Sequence, residues 1–254
     1  MPYADHPNLK TPDDDTVLWR YSDFAKFMDL IERRKLWFSR ADKFEDPLEG
    51  TFTDGERVYF ASLLFVAEAL TPSPELRGWA TGYSRITQTT RATTFVNCWR
   101  EGKFESMAMW DIYGKGSGVV AIKSTVGLLK EAFANYKWNA YISRVKYVDW
   151  NDGGWDGNGL TLCVRKDMSY SHESEVRAII WGLEPQPQGG SPLITDMTQI
   201  PAGQEVEVDP ARLITEVIVG PREQTRIYNL VEAIMKRYSL TQPVRASDRL
   251  KSRI

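Results

Sequence analysis

YSHESEVRAIIW, residues 170–181, decides the fold. It opens with polar residues suited to a turn and changes at Val176 to an apolar run ending at Trp181. That pattern predicts a loop feeding a buried strand. Side chains alternate across a strand, so Glu173, Glu175 and Arg177 are expected on one face, with Val176 and Ala178 on the other. Two carboxylates and a guanidinium beside an apolar run make the densest ionisable cluster of this kind in the chain.

Upstream of it, 93–99 (β-rich TTFVNCW) and 118–123 (GVVAIK) read as further buried strands. Residues 17–21, VLWRY, form a short strand interrupted by Arg20. A helix capped by Ser22 follows, carrying Phe24, Phe27, Met28 and Ile31, and 36–39 is the next strand. Helices are expected over 55–70, 74–88 and 104–113, the last with Met107, Trp110 and Phe104 facing inward. Ser124 caps a helix through Phe133. One strand is expected over 139–148, and two more over 205–208 and 213–219 around a DPAR turn. Residues 224–238 are amphipathic, with Ile227, Leu230, Val231, Ile234 and Met235 three and four apart. Strands and helices mix without strict alternation. The expected class is therefore α+β, a single domain with a central, largely antiparallel sheet flanked by helices. Residues 1–15 read as a flexible arm, 16–247 as the domain and 248–254 as a basic tail.

Composition narrows the function classes. A formal net charge of -2 over 254 residues exerts no global pull toward nucleic acid or an anionic membrane. Two cysteines, Cys98 and Cys163, make neither a disulfide framework nor a zinc site, which suggests a reducing cytoplasm. The first residues lack a signal-peptide pattern, and the apolar run 58–70 is too short to span a bilayer, so no membrane partner is expected.

Context fixes the reading of the remaining motifs. GKGSG at 114–118 follows a helix and precedes a strand, the reverse of a phosphate loop, and reads as a turn. Cys98 or Cys163 with His172 lacks any flanking catalytic pattern. Asp42, Glu45, Asp46 and Glu49 form an acidic loop that could hold a hard cation, though a solvated loop is the commoner outcome; no metal is expected. Arg20, a cation within an apolar strand, implies a salt bridge or a ligand. Glu173 and Glu175 have a structural alternative too, pairing with Arg177 or Arg165.

The blocks LWRYSDFAKFMDLIERRKLWFSRADKFEDPLEG, SMAMWDIYG with GVVAI, HESEVRAI, and IVGPREQTRIYNLVEAIMKRYSLTQPVRAS resemble the bacterial domain of unknown function 2971 over about residues 17–247. A second resemblance, in layout, is to ADP-ribosyltransferases. Arg20 matches their first-strand cation, and Glu173-Ser174-Glu175 matches their late Glu-x-Glu motif. Where their middle motif carries Ser-Thr-Ser or Tyr, this chain reads Phe95-Val96-Asn97-Cys98-Trp99. The resemblance implies NAD as substrate, cleavage of the nicotinamide–ribose bond, and a protein or nucleic-acid acceptor, as in a toxin or phage-defence effector. It implies Glu175, Glu173 and Arg20 as catalytic residues. Cofactor contacts are implied from Arg20, Tyr21, Asn97, Trp99, Trp110, Tyr113 and Arg177. Two other functions fit the residues: a binding module with a structural Arg/Glu network, and a metal-dependent nuclease using Asp46, Glu49 and Glu173 or Glu175.

Overall fold

The strand expected at residues 176–181 is the most completely buried of the described strands. In a computed structural model, β8 (Glu175–Trp181) is buried at every position but Trp181. The structure describes residues 2–70, 74–113, 118–154, 156, 158–182, 199–222 and 224–248. Most of the turn predicted at 114–118 and most of the basic tail fall outside them.

The other elements in chain order are β1 (Val17–Asp23), α1 (Phe24–Arg33), β2 (Lys35–Arg40), α2 (Asp54–Leu70), α3 (Pro74–Thr93), β3 (Thr94–Glu101) and α4 (Met107–Tyr113). They continue with β4 (Val119–Thr125), α5 (Val126–Ala132), β5 (Ala140–Arg144), β6 (Lys146–Val148), α6 (Gly159–Leu162) and β7 (Arg165–Asp167). After β8 come β9 (Gly203–Glu207), α7 (Pro210–Leu213), β10 (Glu216–Val219), α8 (Gln224–Arg237) and β11 (Val244–Ala246). The class is α+β, with one nine-stranded sheet. Its strands pair antiparallel except β10 with β11. β6 and β7 form a separate parallel pair.

One sheet face carries the main core. Leu18, Phe38, Phe95, Trp99, Val120, Ile142, Val176, Ala178 and Ile180 project there under Phe27 and Ile31 of α1, Leu129 of α5 and Val231 of α8. Each large aliphatic or phenyl side chain removed from water contributes about 1.5–3 kcal/mol, which is why the apolar alternation dictates this layer. The opposite face has only small separate clusters. Trp19, Tyr21 and Ala121 pack under Met109 and Trp110 of α4. Val96 packs with Ala41 and Cys163, and Ile179 with Leu160 and Val164. The charged residues lie between these clusters.

The edge of β3 is forked. β8 pairs with it over its whole length from Thr94 to Arg100, and so occupies one edge. The other edge is shared: β2 meets Phe95 and Val96, β1 meets Arg100 and Glu101, and residues 97–99 face the opening between.

Several local expectations change. Asp23, not Ser22, caps α1 by accepting from the Lys26 amide. Thr125 rather than Ser124 caps α5, because the Ser124 hydroxyl is drawn to the Leu213 carbonyl at 2.6 Å. The strand expected over 139–148 divides into β5 and β6, since Val145 bonds back to the Glu175 carbonyl and β6 leaves to join β7. DPAR is one helical turn capped by Asp209. Phe104 precedes α4 and is 73% exposed instead of facing inward. Residues 2–11 are not a loose arm. The Ala4 amide bonds the Ala140 carbonyl, the Thr11 hydroxyl bonds Ile142 and the Arg144 amide bonds Lys10, so this segment lies along β5.

Candidate functional site

The fork opens into a cleft of about 660 Å³ lined by Trp19, Arg20, Tyr21, Asn97, Cys98, Trp99, Arg100, Tyr113, Lys166, Tyr170, Glu173, Glu175 and Arg177, with α1 residues at one side. Arg20, from β1, alternates onto the core face beside Leu18, and its side chain turns into the fork. There Nη1 donates to the Cys98 carbonyl at 2.9 Å. Its expected carboxylate partner does not exist among the described residues. Burial lowers the Arg20 pKa. Asn97 closes the fork's floor: its amide donates to the Trp37 carbonyl at 2.8 Å, and its oxygen accepts from Trp99 Nε1 at 2.7 Å.

The acidic half of the site is a network. Arg177, 1% exposed, grips Glu175 with Nε at 2.8 Å and Nη2 at 3.0 Å, bonds Glu49 through Nη2, and donates Nη1 to the Cys163 carbonyl. Lys166 of β7 meets three carboxylates, Glu173 at 2.6 Å, Glu49 at 3.3 Å and Glu175 at 3.5 Å. It also lies over the Tyr170 ring. Three carboxylates against two cations leave one formal negative charge. Burial opposes ionisation of Glu175, but Arg177, aided by Lys166, outweighs it and holds the carboxyl at about 2. Glu173 moves the other way, because burial outweighs its bond to Lys166 and raises its pKa. Burial, with the neighbouring Glu175 charge, keeps the Cys98 thiol protonated, its pKa pushed well up.

Glu173 differs from expectation in its backbone. It ends a 3-10 turn (Met168–Glu173), and Ser174 adopts a left-handed φ of 45° before β8 begins at Glu175. The alternation argument therefore fails for Glu173, yet the turn still delivers its carboxylate beside Glu175 through Lys166. Arg165, considered as a partner of these glutamates, pairs instead with buried Glu56 at 2.6 Å. Tyr21 is buried, accepts from the Ser106 amide and packs its ring against Trp110 and Tyr113. Trp110 sits behind Tyr21, bonded to Glu105, and is not a wall of the cleft. Trp99 is mostly claimed by the core, leaving Tyr113, with its pKa pushed by burial to about 12, as the more accessible aromatic wall.

Lys166 was missed as a site residue, and Glu49 was considered only as a metal ligand. The metal-binding alternative gathers Asp46, Glu49 and Glu173 or Glu175 round an ion; in the structure Glu49, Glu173 and Glu175 gather round the Lys166 ammonium. Among the described residues, no group of three His, Cys, Asp or Glu side chains is placed to hold a metal.

Glu175 has its folded pKa depressed from 4.5 to about 2, so its contribution is present above 4.5 and lost as pH falls toward 2. A displacement of that size is worth on the order of 3 kcal/mol. Glu173, shifted upward, opposes part of this loss. Urea midpoints from pH 5 to pH 2.5 are expected to fall more steeply for wild type than for Glu175→Gln. Equal slopes would remove Glu175 from the acid response.

The fold and site together define an α+β protein with a deep charged cleft at a forked strand edge. Among the described residues, no helix is long and apolar enough to cross a membrane. Comparison with known protein families and with characterised proteins finds no match for this chain.

Proposed function

We propose that the cleft binds NAD and that the chain cleaves its nicotinamide–ribose bond, passing ADP-ribose to a protein or nucleic-acid acceptor or to water. The observation that carries this reading is that Arg20 and Glu175 line the same cleft, with Arg20 lacking a carboxylate partner among the described residues. A cavity of about 660 Å³ is in the range of small-molecule sites, roughly 300–1,000 Å³. When the C–N bond breaks, nicotinamide leaves with the electron pair and positive charge develops at the ribose C1′. The net negative Glu49/Glu173/Glu175 cluster, already fixed by Arg177 and Lys166, stabilises that charge without reorganising. The acceptor attacks C1′ and gives its proton to Glu173, whose raised pKa makes it the better base. Arg20 holds a phosphate through its planar fork.

A second reading has its own support. Both Glu175 oxygens are taken by Arg177, and Glu175 is only 6% exposed, as in a purely structural network serving a non-catalytic binding module. Incubating the protein with NAD, following nicotinamide release and thermal shift together, separates the two. Release together with stabilisation by NAD supports catalysis. Stabilisation without release, across protein and nucleic-acid acceptors, supports the binding module. The absence of both effects defeats the NAD assignment.

A further inference from the structure

Arg100, near the end of β3, stands directly across from Glu175 in the β3–β8 register. Opposite charges so placed ordinarily pair. Here Glu175 turns both oxygens to Arg177, and Arg100 has no carboxylate partner among the described residues. The Arg100 guanidinium lies over Gly102, where an added Cβ would come within 2.4 Å of Nη1, and that nitrogen donates to the Phe104 carbonyl at 3.1 Å. Nε is buried with no acceptor. Such an unmet buried donor is destabilising, and the protein retains it at the wall of a cleft.

The β1–β3 register sets Arg100 opposite Trp19, one residue from Arg20. Neighbouring residues of a strand face opposite ways, so Arg20 starts on the other face of the sheet, but its side chain turns into the fork, and both guanidiniums, neither with a carboxylate partner among the described residues, line the same cleft. Planar forks of this kind match phosphoryl oxygens bidentately, and an anion with two charged centres can engage both. We infer that Arg100, acting with Arg20, is the seat of a diphosphate group, so that this cleft selects ligands carrying a pyrophosphate linkage. The assignment of that diphosphate to NAD rests on the proposed function; the anion site does not.

Calorimetric titration of the full chain with inorganic pyrophosphate at low ionic strength tests it, using wild type, Arg100→Gln and Gly102→Ala. Arg100→Gln should weaken binding by tenfold or more. Gly102→Ala should weaken it several-fold by displacing the guanidinium, with the unfolding temperature unchanged, since the group displaced is the end of a flexible side chain. Should Arg100→Gln fail to fold, Gly102→Ala decides. Wild type that does not bind pyrophosphate, or variants that bind it as tightly as wild type, would overturn the inference. Arg100-dependent pyrophosphate binding in a protein that leaves NAD intact would uphold the anion site and defeat the proposed reaction. NAD cleavage with Arg100-independent pyrophosphate binding would do the reverse.

Discussion

Arg177→Gln is expected to destabilise the fold by about 3–5 kcal/mol, the usual consequence of removing one partner from a buried ion pair. For a chain of this size that corresponds to a fall on the order of 10 °C in Tm. The reason is the company Arg177 keeps. It is the common partner of Glu49 and Glu175, both buried, and it also satisfies the Cys163 carbonyl and lies over the Phe44 ring. Without it, two buried carboxylates share one Lys166 ammonium. Lysine at 177 should rescue little, because a single ammonium cannot reproduce the fork that meets both glutamates and a carbonyl. Thermal and urea unfolding followed by circular dichroism measure the effect. A variant within about 1 kcal/mol of wild type would mean that the network contributes far less than its burial implies.

Glu175→Gln should lower nicotinamide release by about 10²–10³, the scale seen when one preorganised electrostatic group is removed from a reaction centre. The substitution has a second consequence that the assay must separate. A Gln amide turns one N–H donor toward the donors of Arg177 or Lys166, so stability also falls. Rates are therefore to be compared well below both unfolding transitions, with the folded fraction checked by circular dichroism. A folded Glu175→Gln protein that keeps its rate within a few-fold would leave Glu175 a purely structural role.

The two residues these predictions turn on were legible in the sequence, because both stand in one strand whose apolar partners announce its pleat. The amphipathic helix at 224–237 was legible for the same reason, through its three- and four-residue spacing. Lys166 was not legible as a site residue, and Glu49 was legible only as a candidate metal ligand. Glu49 comes from a loop more than a hundred residues away, and nothing local separates it from the solvated acids beside it. Lys166 stands in a three-residue strand, Arg165–Asp167, too short and polar to carry a periodic signal. Glu173 was placed beside Glu175 by an alternation that stops at Ser174, whose left-handed backbone no pattern of side chains foretold. The fork escaped as well, since the sharing of one strand edge by two partners is a matter of pairing, not of composition.

That fork makes the sheet behave as two leaves hung on a common spine. β2 and β9 join the spine through two register pairs at one end of β3, and β1 joins through two pairs at the other, carrying β4, β10 and β11 behind it. Helix α1 straps the leaves together across the gap, packing against β1, β2 and β4. A molecule seated in the notch takes the place of the rungs missing from that ladder. Its binding should tighten both leaves at once, and protection from amide exchange should rise in β2 and β4 as well as at the residues it touches.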